Sequence, residues 1–115
     1  MSSEDSAGLA DPASLERAAN QLDAEAGMLR ADVADFMRPV RAAGWSGAAA
    51  SDFKDAMQAE GFVAQRLAAE LNSMAGMLRT GAGEVRAEID RRRREREARE
   101  RREREAKAKQ ASASH

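Results

Sequence analysis

The side chains able to do chemistry in this chain are almost all carboxylates and guanidiniums. Its 115 residues include 20 Asp and Glu, 19 Lys and Arg, one His, no Cys and no Tyr. The His is the last residue, His115, in a Ser/Ala tail. Imidazole bases, Ser-His or Cys-His pairs, disulfides, thiolate metal sites and most zinc sites need residues that this chain lacks. Paired acids such as Asp32 with Asp35 and Asp52 with Asp55 have the spacing of a helix surface. Water solvates carboxylates there, and no cleft is predicted that would desolvate them and shift a pKa. Met28, Met74 and Met77 are read as core filler or adaptable interface, not as metal ligands. With no strand predicted, no Gly-rich loop follows one to hold a phosphate. The expectation is a protein that is not an enzyme and takes no cofactor or metal.

The elements that position these groups are helices. Of 49 apolar residues 27 are Ala, leaving 22 larger ones, with three Phe and one Trp. Ala-rich sequence with two Pro and few β-branched residues favours helix, so the fold class expected is all-α. So few large side chains cannot enclose a deep core. The net charge of −1 hides a division. Residues 1–89 carry 8 basic against 14 acidic groups, and residues 90–109 carry 11 against 6, so an acidic body precedes a basic extension.

Residues 1–10 read as a disordered leader, acidic and Ser-rich, without the basic and apolar segments of a signal peptide. No run approaches the ~20 apolar residues of a membrane span. Asp11-Pro12 reads as a helix start, an N-cap followed by a Pro whose missing N–H costs nothing at the first position. Leu15, Ala19, Leu22, Ala26, Leu29, Val33, Phe36 and Val40 then follow at steps of four and three, one stripe along a helix of about 12–40. Pro39 should kink or end it nearby. Residues 41–47 form a turn, with Gly44 in the left-handed conformation, Ser46 as the next cap and Gly47 giving room for close approach.

A second stripe, through Ala49, Ala50, Phe53, Met57, Ala64, Leu67, Leu71, Met74 and Leu78, predicts a helix over about 47–80. Phe62 and Val63 lie off the stripe and widen it. Two helices and a short turn make an antiparallel hairpin over residues 11–83. Leu22–Arg30 (LDAEAGMLR) and Leu71–Arg79 (LNSMAGMLR) are alike. This is read as chance recurrence in an Ala-rich amphipathic sequence. Gly81 and Gly83 weaken helix by ~1 kcal/mol each and mark a hinge or break. Residues 84–109 form an Arg/Glu-rich extension, helical or disordered, in which Glu95 precedes Arg99, Glu97 precedes Arg101 and Glu100 precedes Arg104 at the favourable spacing for ion pairs. Residues 110–115 read as a disordered tail.

A hairpin of about 70 residues rarely gains more than 3–5 kcal/mol from one core, so pairing with a second hairpin is expected. Leu15, Leu22, Leu29, Val33 and Phe36 on the first helix are candidates for the core or dimer interface. So are Met57, Phe62, Val63, Leu67, Leu71, Met74 and Leu78 on the second.

The turn carries the most specific pattern. Trp45, Gly47, Ala49, Ala50 and Phe53 form W-x-G-x-A-A-x-x-F between two amphipathic helices of matching length. Over about residues 9–85 the chain resembles the WXG family of small type VII secretion proteins, the early-secreted-antigen-like group of actinobacteria and firmicutes. The resemblance implies a helical hairpin that pairs into a homo- or heterodimeric four-helix bundle. It further implies export without a cleaved signal peptide, through a machine driven by a hexameric ATPase. Trp45 and Gly47 would then sit at the bundle end, close to the partner's C-terminal helix, in a composite export signal. One departure is clear: many exported members carry Tyr followed four residues later by an acid, and this chain has no Tyr. Either a Tyr-bearing partner supplies that signal, which favours a heterodimer, or this chain does not engage the ATPase through that contact. The charged extension is also unlike the short tails of the simplest members.

Two other functions are weighed against secretion. One is an intracellular adaptor that recruits a partner with the Arg/Glu arm. The other is a weak polyanion binder. Interleaved Glu neutralises most of the arm, no aromatic residue is present there to stack on bases, and only Arg91 to Arg94 are locally unbalanced. No specific nucleic-acid partner is expected.

Overall fold

The structure, a computed structural model, describes residues 3–114. Met1, Ser2 and His115 lie outside the described residues, and with them parts of the expected leader and tail. Three helices follow in order: α1 (Ser3–Ser6), α2 (Pro12–Ala42) and α3 (Ala48–Ala113). No strand occurs among the described residues.

Local chemistry sets the ends. The Asp11 carboxylate accepts from the Ala13 N–H at 3.2 Å and from the Ser14 hydroxyl at 2.9 Å, capping α2 with Pro12 at its start. Pro39 lies in the last turn of α2, and the helix ends only three residues beyond it. The Ala43 N–H donates to the Pro39 carbonyl at 3.0 Å, and Gly44 at φ +64° closes the end in the left-handed region. The next cap is Gly47, not Ser46 as the sequence predicts. Gly47 precedes the first helical residue, and its carbonyl accepts from the Ser51 N–H at 3.0 Å.

Helices α2 and α3 pack antiparallel. Val33 lies against Gly61, Leu15 against Gly81, and Arg86 reaches Glu16, so numbers fall on α3 as they rise on α2. This register sets Ala26 level with Ala68, Ala19 with Ala75 and Pro12 with Ala82. All six are buried, and each series recurs every seven residues. A seven-residue repeat keeps one seam facing the partner helix through a left-handed supercoil, and small side chains in the seam let the axes approach closely. The core is therefore a ladder of alanines. Among the described residues no large side chain is fully buried; Leu15, Leu22, Leu29, Leu71 and Leu78 are half-buried beside the seam.

The two flanks of the seam differ. Three residues after each seam position come Leu15, Leu22, Leu29 and Phe36 on α2, with Ala64, Leu71, Leu78 and Val85 on α3; Met57 continues that row one heptad toward the turn. Four residues after it come Glu16, Asp23, Arg30 and Met37 on α2, with Gln65, Asn72, Arg79 and Arg86 on α3. One flank is apolar; the other is hydrogen-bonded across the hairpin.

Three expectations are corrected. Gly81 and Gly83 do not break α3, which runs unbroken for 66 residues. Both glycines lie where α3 still contacts the start of α2: Gly81 meets Leu15 Cδ1, Ala82 is buried, and Arg86 bonds Glu16 at 2.5 Å. That support offsets the glycine penalty of ~1 kcal/mol each. The described part of the leader is ordered, with α1 and its following turn lying along α3. The described part of the tail is helical to Ala113, and the Ser114 N–H closes on the Gln110 carbonyl at 3.1 Å.

At 1.5 Å per residue α3 is about 100 Å long. It sets the molecule's dimensions of 102 × 16 × 16 Å and a radius of gyration of 27.8 Å. A compact chain of this length would have a radius near ~13 Å.

Candidate interaction site

The Trp45 turn closes one end of the hairpin. Trp45 and Phe53 stack with ring centroids 5.5 Å apart and planes tilted by 51°, within the range of favourable aromatic pairs. The Lys54 ammonium donates to the Trp45 carbonyl at 3.0 Å, tying the turn to the first helical turns of α3. Ala50 is buried beneath; Ala49 and the outer part of Trp45 face solvent. Gly47 stands at φ +107°, ψ 178°, a region that side chains other than glycine rarely adopt. Nothing lies within 4 Å of where its Cβ would stand, so backbone conformation, and not the close approach predicted from sequence, demands glycine here.

Beyond the turn the alanine ladder gives way to Val33 against Gly61, with Val33 Cγ1 3.5 Å from where a Gly61 Cβ would lie. Two grooves open there. One of about 380 Å³ lies on the apolar flank, lined by Phe36, Met57 and Ala64 among others. The other, about 530 Å³, lies on the polar side, lined by Val40, Gln58, Phe62 and Gln65 among others. The candidate residues are thus not all brought together. Leu15, Leu22, Leu29, Phe36, Met57, Leu71 and Leu78 share the apolar flank. Leu67 and Met74, one residue before the seam alanines Ala68 and Ala75, extend it outward; Phe53 stacks on Trp45 at the turn, and Val63 is exposed. Val33 is in the seam, and Phe62 faces the other groove.

The polar flank locks the register. Arg79 Nη2 donates to Asp23 Oδ2 at 2.6 Å and to Asn20 Oδ1 at 3.0 Å, while Asn72 Nδ2 donates to Asp23 Oδ1 at 2.6 Å. Hydrogen bonds from Asn72 and then Arg79 hold the Asp23 carboxyl below its ordinary pKa. The Arg86 hydrogen bond does the same for Glu16.

Asp32, Asp35, Asp52 and Asp55 are all exposed. Among the described residues no group of three or more His, Cys, Asp or Glu is placed to hold a metal ion. None of the described helices is long and apolar enough to cross a membrane.

The alanine seam was the feature that sequence reading missed. Its signal was present as Ala68, Ala75 and Ala82, seven residues apart, but the larger neighbouring residues drew attention from it. The like segments Leu22–Arg30 and Leu71–Arg79 also gain a place. Each contributes one seam alanine (Ala26, Ala75), two flank leucines (Leu22 and Leu29, Leu71 and Leu78) and, at the matching position, an exposed Met (Met28, Met77). The two segments thus hold equivalent seam and flank positions on the two helices.

No protein-family model, curated protein or solved structure matches this chain.

Proposed function

We propose that this chain is a non-enzymatic pairing protein whose hairpin lays its apolar flank against a second hairpin to form a four-helix bundle. In that state it would serve as a small type VII secretion substrate, or as the co-secreted targeting partner of one. The observation that carries the reading is the open flank. Phe36 is 59% exposed, Leu67 48% and Met74 50%, while the buried apolar residues among those described are alanines, Pro12 and Ile89. Each larger side chain withdrawn from water by a partner contributes roughly 1.5–3 kcal/mol when burial is complete, and only part of that for side chains already half-buried. Between Glu16 and Asp23 the opposite flank is hydrogen-bonded across the hairpin, which directs a partner to the apolar side there.

The turn supports the secretion setting. Trp45 is anchored on Phe53 yet part-exposed at the hairpin end, where a partner's C-terminal helix can reach it. With no Tyr in this chain, the favoured complex is a heterodimer whose other member bears Tyr followed four residues later by an acid.

One observation favours the adaptor reading: α3 continues 31 residues past Ala82, about 46 Å of largely solvated helix. An export assay separates the two. Secretion predicts the protein in the culture medium only when the secretion ATPase is intact. Recovery from lysate alone, whatever the state of the ATPase, defeats export and leaves the adaptor.

A further inference from the structure

Arg92, Arg96 and Arg99 follow at steps of four and three, which sets them on one stripe of α3 about 10 Å long. Arg92 also bonds Glu88 at 3.0 Å and Arg96 bonds Glu100 at 3.4 Å within the helix, but each of the three has a partner at the other end of the chain. Arg96 Nε and Nη2 donate to Asp5 Oδ1 and Oδ2, each at 3.2 Å, a two-point guanidinium–carboxylate fork. Arg99 Nη2 donates to Glu4 Oε1 at 3.0 Å, and Arg92 Nη1 to the Ala7 carbonyl at 2.8 Å.

The neighbouring arginines behave differently. Arg91 bonds Glu88 and Glu95, and Arg93 and Arg94 bond Asp90, all within about one turn of their own helix. The stripe is thus the part of the basic extension turned over to a distant acidic segment. Asp5 is only 3% exposed, and the Arg96 guanidinium meets both of its oxygens. Yet α1 has four residues, too few to hold a helix by itself, so these contacts are what seat it.

We propose that the Arg92–Arg96–Arg99 stripe is a docking site for an acidic peptide segment, occupied in cis by the chain's own leader and in trans by a partner segment that displaces it. The occupant is a peptide and not a generic polyanion because the stripe takes a main-chain carbonyl as well as two adjacent carboxylates. The arginines beside it bond within their own helix, Arg93 and Arg94 sharing Asp90. The leader's tether gives it an effective concentration of ~mM, so a free peptide competes poorly until the leader lets go. This site lies beyond the hairpin seam and stands independently of the pairing proposed above.

The test is fluorescence anisotropy of a labelled poly-glutamate peptide with the full-length chain, helix content being followed by circular dichroism. Glu4→Gln with Asp5→Asn should strengthen binding by about tenfold or more as the tethered competitor is lost. Adding Arg96→Gln and Arg99→Gln to that variant should remove the gain, while adding Arg93→Gln and Arg94→Gln should leave most of it. Equal binding by the unaltered chain and the leader variant would overturn the proposal. So would an equal loss from either arginine pair, which would show mere net charge. Preference of the leader variant for anionic phospholipid vesicles over the peptide would also overturn it.

Discussion

Ala75 offers the sharpest test of how the hairpin is held together. Its methyl group is completely buried in the seam, level with the equally buried Ala19. Ala75→Leu would insert three further carbons where two helix backbones face each other across small side chains. Overpacking a filled site costs typically ~1–3 kcal/mol, because neighbours must leave their rotamers or the helices must separate. For a hairpin of this size, each kcal/mol lowers the melting midpoint by roughly 4–8 °C. The assay is thermal melting followed by circular dichroism and by the fluorescence of Trp45, the only Trp, which reports the turn specifically. Were leucines the core and the alanines gaps among them, the added side chain would fill space and raise the midpoint. An unchanged or raised midpoint would therefore refute the alanine seam.

Two glycines should respond with opposite sign. Gly47→Ala should destabilise by ~1–3 kcal/mol, because φ +107° is strained for any side chain. Gly27→Ala, mid-helix with nothing within 4 Å of the added Cβ, should stabilise by ~0.5–1 kcal/mol; denaturant titration reads both. Acid should weaken the fold. Glu16 and Asp23 are held below their ordinary pKa values, and Glu88 falls from 4.5 to about 2 through hydrogen bonds from Arg91 and then Arg92. The stability these groups contribute is present above their unfolded values and is lost as pH falls through the folded ones, for Glu88 near 2. A melting midpoint that stays flat through that acid range would contradict these pairings. Trp45→Ala should reduce export or partner handling more than it reduces helicity. If the helical signal collapses with it, Trp45 is a packing residue.

The sequence shows where helices begin more clearly than where they end or what they bury. Asp11-Pro12 marks the start of α2 because capping is a local interaction, readable within three residues. The end of α2 near Pro39 is local in the same sense. The fate of Gly81 and Gly83 is not, because the contacts that carry α3 past them come from Leu15 and Glu16, far away in the chain. The leader was misread for the same reason: Glu4 and Asp5 look like solvated acids until Arg96 and Arg99 are brought beside them. Glu95 and Glu100 pair backward with Arg91 and Arg96, not forward with Arg99 and Arg104, and Arg99 is held by Glu4. The core misled by size. Leucines dominate a hydrophobic pattern, yet in a two-helix seam the small residue that lets backbones approach is the one fully enclosed.

Sedimentation velocity across micromolar concentrations, on the chain alone and on the complex recovered from its native cells, tests most directly whether the apolar flank serves pairing. The account predicts an assembly of more than one chain that Leu67→Glu with Met74→Glu dissociates while helicity persists. A folded monomer of 12.4 kDa under every one of these conditions would contradict it.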